Sequence, residues 1–219
     1  MFPNDTLAFL VSFTCVGIII HICSKLRKKG FSLHVLRETT HILMGVWPLI
    51  WFLFETMIAA FLVTLIVTLF LVFAPRRLRD IYSSGDEKHF GLILYSTMFM
   101  IITYFFWMSP IGATAIFTLA FSDGAAGLIG KKYGKHKFCV PWGKEKSAEG
   151  SLVFLFVSMT AVSFAYVIFS DKIICFLLLV VYGFLTSVVE FLSPPHTDNV
   201  TVPIASILIL IFLPPLICP

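Results

Sequence analysis

Residues 122–151 read SDGAAGLIGKKYGKHKFCVPWGKEKSAEGS and lie between two apolar spans. Six lysines are interleaved there with acids and glycines, in a chain that is otherwise 58% hydrophobic. That mixture at a membrane face suits a polyphosphate with a divalent metal, and so chemistry rather than anchoring alone. Asp123 follows the apolar run IGATAIFTLAF. Ionisable groups inside membrane spans are costly, which makes them functional candidates. Mg²⁺ is usually held by one or two carboxylates plus substrate phosphates, and Asp123 is a candidate ligand. The alternative is a carboxylate that reaches the interface or pairs with a lysine.

Four glycines follow. Gly124 and Gly127 are accounted for by helix packing. Gly130 and Gly134 form a GxxxG, which also packs helices. Glycine near the surface lets backbone N–H groups approach a phosphate as well. Lys135, His136 and Lys137 come directly after Gly134 and favour that second use. Further on, Ser147 or Ser151 can cap the next helix, with Glu149 in its first turn. A helix N-terminus is also an anion site, and Lys144 and Lys146 stand just before it.

More polar residues gather at other span ends. Arg37 and His41 are four apart and share a helical face; a core histidine is the plain alternative for His41. Glu190 closes one span, and Asp198–Asn199 precedes another, where a simple turn would also explain them.

These residues need helices to bring them together. Only 13% of the chain is charged and its mean hydropathy is +0.96, which excludes a soluble domain of 219 residues. At about 20 apolar residues per crossing, spans are expected near 5–22, 40–54, 56–73, 91–108, 110–129, 151–169, 172–191 and 200–217, seven or eight in all. The second is short and interrupted by Pro48. The leading residues MFPNDTLAF hold no lysine or arginine, unlike a signal peptide, so the first span is expected to be retained. The expected fold is therefore an all-α polytopic bundle forming one integral membrane domain over 1–219, with a polyphosphate-binding loop on the cytoplasmic side near 122–151.

With eight spans, every one of the sixteen basic residues except Lys172 falls on one side. They are Lys25–Lys29 and Arg37, then Arg76–Lys88, then Lys131–Lys146. The positive-inside rule makes that side cytoplasmic. All five polar clusters would then share one depth on that face. The five cysteines show no metal-ligand spacing and read as apolar fillers.

Taken together, these residues resemble the polyprenol, phytol and dolichol kinases, membrane CTP-dependent lipid kinases distantly similar to phosphatidate cytidylyltransferases. The family pattern D-x-x-A-x-x-x-G-x-x-x-G is met by Asp123, Ala126, Gly130 and Gly134. K-S-x-E-G-S is met by Lys146, Ser147, Glu149, Gly150 and Ser151. The N-terminal R-K-x-x-H appears as Arg37-Glu-Thr-Thr-His41, with Glu38 in place of the lysine. The C-terminal E…D-N-x-x-x-P appears as Glu190 and Asp198-Asn199 through Pro203. A glycine and an aromatic also match at Gly91 and Tyr95.

The resemblance covers roughly 37–205. It implies transfer of a terminal phosphate, commonly from CTP with ATP as the other donor, to a lipid alcohol such as phytol, farnesol, geranylgeraniol or dolichol. Lys135, Lys137 and Lys146 would hold the triphosphate, with Gly130, Gly134, Ser147, Gly150 and Ser151 around it. Asp123 and Glu149 would hold Mg²⁺. Asp123, Glu190, Asp198 and His41 are the candidates for a base, with Arg37 and Asn199 in support. A multi-pass location in a prokaryotic plasma membrane or the endoplasmic reticulum is expected, with a lipid substrate and no nucleic-acid partner. A cytidylyltransferase, a diacylglycerol kinase, a transporter and a structural protein that binds anionic lipids are the alternatives. The transporter class is disfavoured because the charges gather at one face and no repeat is seen.

Overall fold

The computed structural model describes residues 3–74, 86–140, 142, 145–194 and 197–213. The expected basic positions Arg76, Arg77, Arg79 and Lys144 lie outside these residues, as do Pro214, Pro215, Cys218 and the side chains of Lys88 and His89.

Helices make up 83% of the structure. In chain order they are α1 (Pro3–Lys28), α2 (Leu33–Met44), the single turn α3 (Trp47–Ile50), α4 (Met57–Phe73) and α5 (Asp86–Phe106). Then come α6 (Pro110–Phe117), a π-helical turn (Thr118–Ser122) and α7 (Asp123–Tyr133), which together form one rod, Pro110–Tyr133. After a short hairpin the chain continues as α8 (Ala148–Ser170), α9 (Phe176–Leu192) and α10 (Asp198–Phe212).

The starts of these helices reflect local chemistry. Thr56 accepts the Ala59 N–H at 3.2 Å to open α4. Ser109 accepts from Ile111 at 3.2 Å to open α6, with Pro110 in the first turn where its missing N–H costs nothing. Asp171 ends α8 in the left-handed region, at φ 52°.

Among the described residues, three helices are long and apolar enough to cross a membrane: Asp5–Lys28, Pro110–Tyr133 and Ala148–Ser170. Four shorter apolar helices accompany them, at Met57–Phe73, Phe90–Phe106, Phe176–Leu192 and Asp198–Phe212. Their outer faces present large apolar side chains, including Phe73, Phe105, Phe176 and Phe212, as lipid contact requires. The expected span over 40–54 is absent as one helix. α2 stops at Gly45, and α3 and a 3₁₀ turn (Trp51–Leu53) come after it. The break is the one Pro48 imposes, since a proline has no N–H to give the Met44 carbonyl and its ring crowds it, so α2 ends at Met44. Gly45 in the turn packs against the Phe121 ring, where a Cβ would sit 2.6 Å from Cε1.

The rod Pro110–Tyr133 is the axis of the bundle. Its upper half, Gly112–Phe117, is fully buried, and Phe117 and Leu119 anchor the main core with Trp51 and Ile102. The Tyr182 hydroxyl bonds both Thr118 Oγ1 (2.7 Å) and Ser206 Oγ (2.6 Å), tying the π turn to α9 and α10. The extra residue of a π turn rotates the next stretch of helix about its axis, and Asp123 is the first residue of that stretch.

An all-α expectation misses one element. β1 (Lys137–Cys139) and β2 (Glu145–Ser147) pair antiparallel, with Lys137 opposite Ser147 and Cys139 opposite Glu145. Three-residue strands are too short to show alternation in a sequence. Trp142 donates to the Leu192 carbonyl at 3.0 Å, pinning the hairpin against the end of α9.

Candidate functional site

The hairpin hands the chain directly to α8. Ser147 ends β2 and caps α8, accepting the Gly150 N–H at 3.1 Å. Its hydroxyl also reaches the Gly130 carbonyl at 3.4 Å. Gly130, Gly134 and Gly150 meet around this serine. A Cβ at Gly134 would lie 2.5 Å from Ser147 Cβ, and one at Gly150 would lie 3.2 Å from Gly130 Cα. These glycines are thus required for the close approach of α7, β2 and α8, whatever else their N–H groups do. The Gly134 N–H is already bonded to the Gly130 carbonyl at 3.0 Å.

Beside this junction lies a polar cavity of about 380 Å³. Asp123, Lys137, Lys146 and Glu190 line it, as do Arg37 and Asp198. Gly130, Ser147, Gly150 and Ser151 complete the set of sequence-derived residues on its wall. Residues from α2, the rod, the hairpin and α8 to α10 therefore converge, although up to 161 positions separate them in the sequence (Arg37 and Asp198). The cavity volume falls within the usual range for small-molecule sites, roughly 300–1,000 Å³.

Lys146 spans the cavity and donates to both the side chain (2.6 Å to Oε1) and the backbone carbonyl of Glu190. Ser187 holds the Ser151 carbonyl at 3.1 Å. Asp198 accepts the Asn199 N–H, and the Asn199 amide donates to the Gly91 carbonyl at 2.9 Å, joining α10 to α5.

His41, Gly134, Lys135, Glu149 and Asn199, also sequence-derived, lie off this wall. Lys135 is exposed and is not part of the cavity wall. Glu149 engages His136 at 2.8 Å on the exposed side of the hairpin and does not line the cavity. The structure therefore does not bring Glu149 together with Asp123 as a metal pair.

Asp123 meets α2 instead. Its Oδ2 lies 3.6 Å from His41 Nδ1, an ion-pair separation too long for a hydrogen bond. His41 Nδ1 is in turn 3.9 Å from Glu38 Oε2. One ligand atom from each of Glu38, His41 and Asp123 lies within 4.8 Å of the other two. Glu38 and His41 are buried, at 0% and 2% exposure. Arg37 Nε (3.0 Å) and His34 Nδ1 (3.3 Å) hold Glu38 Oε1. Burial pushes the Glu38 carboxyl above the ordinary carboxylate range, while the Arg37 guanidinium opposes the rise. Burial also lowers the His34 imidazole below its usual value, opposed by its bond to the Gly127 carbonyl at 3.0 Å.

Glu38 Oε2 and both His41 nitrogens have no hydrogen-bond partner among the described residues. Gly127 makes room for this carboxylate, since a Cβ there would lie 2.9 Å from Glu38 Cδ. Tyr95 stacks on His41 at 4.2 Å between ring centroids and donates to the His41 carbonyl at 3.0 Å.

Sequence reasoning singled out Arg37 and His41 but passed over His34, and noticed Glu38 only as a departure from the motif. His34, Glu38 and His41 are spaced i, i+4, i+7, a helical-face signal that was available in the sequence.

Tyr95 also borders a second, apolar cavity of about 40 Å³ between α1, α2, α4 and α5, lined by residues including Val16, Met44, Trp47 and Phe99.

Known proteins resemble this chain in sequence over 57–95% of its length. Probable phytol kinase 3, chloroplastic, of Glycine max is 32% identical over 57% of this chain and 42% of its own length. Probable phytol kinase 2, chloroplastic, of Oryza sativa subsp. japonica is 28% identical over 87% of this chain and 70% of its own. Farnesol kinase, chloroplastic, of Arabidopsis thaliana is 27% identical over 95% and 76%. The chain thus spans less than half of the soybean relative. No protein-family model and no solved structure matches it. These relatives support the polyprenol and phytol kinase family read from the motifs. Their chloroplastic names give no support to the endoplasmic reticulum or plasma membrane expected from the sequence.

Proposed function

We propose that this relative of the phytol and farnesol kinases is a membrane isoprenoid-alcohol kinase that takes its phosphate from a nucleoside triphosphate, CTP by resemblance. One observation carries the reading: a cavity lined by lysines, an arginine and carboxylates at one end of an apolar bundle, with an apolar cavity behind it across Tyr95 and His41. The shorter apolar helices are read as crossing with the three long ones. The basic end then faces the compartment that supplies the nucleotide.

Phosphoryl transfer depends mainly on positioning and on neutralising charge. Lys137, Lys146 and Arg37 receive the triphosphate. Lys146 exchanges part of its bonding to Glu190 for phosphate oxygens. The isoprenoid tail stays in the apolar spans and presents its hydroxyl at the cavity wall. The hydroxyl oxygen forms a bond to the terminal phosphorus as the bond from that phosphorus to its bridging oxygen breaks, releasing the nucleoside diphosphate. Glu190 or Asp198, both on the cavity wall, accepts the hydroxyl proton, and His41 lies beside Asp123 to orient its carboxylate.

The Mg²⁺ implied by the resemblance fits Asp123, whose carboxylate faces the cavity, with phosphate oxygens completing its ligands. When bound, the ion offsets the charge of the transferring group.

The test incubates protein in liposomes with γ-labelled CTP or ATP, Mg²⁺ and phytol, farnesol, geranylgeraniol, dolichol or diacylglycerol. Label in an isoprenyl monophosphate is the expected result. CDP-lipid and pyrophosphate formed from phosphatidate would overturn the reading in favour of a cytidylyltransferase. Label in phosphatidate alone would make the chain a diacylglycerol kinase.

A further inference from the structure

The α2–α7 crossing holds more than the kinase reading uses. Glu38 is fully buried, and its Oε2 has no hydrogen-bond partner among the described residues. His41 is buried, and neither ring nitrogen has a hydrogen-bond partner among the described residues. A buried polar atom left unbonded costs about 1–3 kcal/mol, so Glu38 Oε2 and His41 Nδ1, side by side, mark a place where a partner is missing. The atoms converge: Nδ1 of His41 lies 3.6 Å from Asp123 Oδ2 and 3.9 Å from Glu38 Oε2. Two ligand atoms about 2.1 Å from a shared tetrahedral ion stand roughly 3.4 Å apart, so the observed spacing leaves room for a cation with small adjustment.

The charges agree. Arg37 and His34 engage the other oxygen of Glu38. His41 Nδ1 is the ion-pair neighbour of both Glu38 Oε2 and Asp123 Oδ2, so one imidazole stands between two carboxylates, with Arg37 and Lys146 acting on Asp123 as well. The ring cannot easily turn away, because Tyr95 stacks on it and bonds its own backbone carbonyl.

We propose that Glu38, His41 and Asp123 form a protein-borne site for a divalent first-row transition ion of the Mn²⁺ or Zn²⁺ type, bound with or without nucleotide. The nitrogen ligand sets the class: imidazole suits transition ions, whereas Mg²⁺ sites are built from oxygen. The inference stands on this geometry alone and does not need the kinase reading.

The test uses the full chain in detergent micelles, stripped with chelator and titrated with Mn²⁺ in the absence of nucleotide. Free Mn²⁺ is followed by its paramagnetic resonance signal, and bound Mn²⁺ by electron spin-echo modulation from coupled ¹⁴N. One Mn²⁺ per chain with a directly coupled nitrogen is expected. His41→Ala removes the nitrogen coupling, and Glu38→Gln weakens binding by at least about tenfold, the scale on which even supporting residues of metal sites act. Glu38→Lys, which puts an ammonium where the ion would sit, abolishes binding while helical circular dichroism is kept. Absence of stoichiometric binding by the unmodified chain would overturn the proposal. So would bound Mn²⁺ without nitrogen coupling, or equal affinity in Glu38→Gln. Because the unmodified chain alone gives a decisive spectrum, a variant that fails to fold does not protect the idea.

Discussion

The hairpin and the α2–α7 crossing both carry acids beside basic side chains, and they treat them in opposite ways. At the hairpin, Lys137–Glu145 and His136–Glu149 are in the open and each acid has its partner at 3.0 Å or less. At the crossing, Glu38, His41 and Asp123 are enclosed, and three of their polar atoms lack a hydrogen bond. Exposed pairs contribute little, since water competes for both charges. Buried polar atoms without partners are expensive. The exposed acids of the hairpin are therefore saturated by their partners, although Lys137 and Lys146 on its strands also line the cavity, and the crossing is where binding a ligand would recover most free energy. A charge-rich segment of sequence and a reactive centre are not the same thing, even when they adjoin.

Substitutions at the two places should separate them. The largest effect is expected for Asp123→Asn, which keeps the shape and removes the charge. Label transfer should fall by at least about a hundredfold, the scale of losing one electrostatic group at a reaction centre, with membrane insertion and helical content kept. Lys146→Ala comes next. It should raise the nucleotide KM by about tenfold, as for a charge-assisted bond worth about 1.5 kcal/mol, and change kcat less. An unchanged KM would remove Lys146 from the donor site. Gly127→Ala forces a methyl against Glu38 and should lower stability by about 1–3 kcal/mol, read by thermal unfolding in detergent. Glu145→Gln breaks the exposed pair with Lys137 and should cost less than about 1 kcal/mol. If Glu145→Gln proved costlier than Gly127→Ala, the contrast between hairpin and crossing would be reversed.

Much of this arrangement was legible in the sequence, for reasons that differ by residue. Apolar stretches with few charges announce helices, and so the helical fold and most helix positions were readable. The motif residues Asp123, Lys146, Ser147, Glu190 and Asp198 do meet around one cavity. Glu149 was misleading because its position in the first turn of α8 is equally that of a helix-start acid, and its carboxylate turns to His136. Glu38 was passed over because a departure from a motif reads as a loss until its neighbours are seen. The break after Met44 was legible from Pro48 four residues on, whereas the packing of Gly45 against Phe121, 76 residues away, was not. Span number was read from hydropathy, and among the described residues three helices meet the length and apolarity of a full crossing, which leaves the seven or eight expected spans unconfirmed.

The most direct measurement sets Asp123→Asn beside Glu149→Gln in one assay, following γ-labelled nucleotide into an isoprenyl monophosphate. With the reaction centred on the crossing, Asp123→Asn is silent and Glu149→Gln transfers label at a rate within a few fold of the unmodified chain. A silent Glu149→Gln beside an active Asp123→Asn would contradict it and move the chemistry to the hairpin.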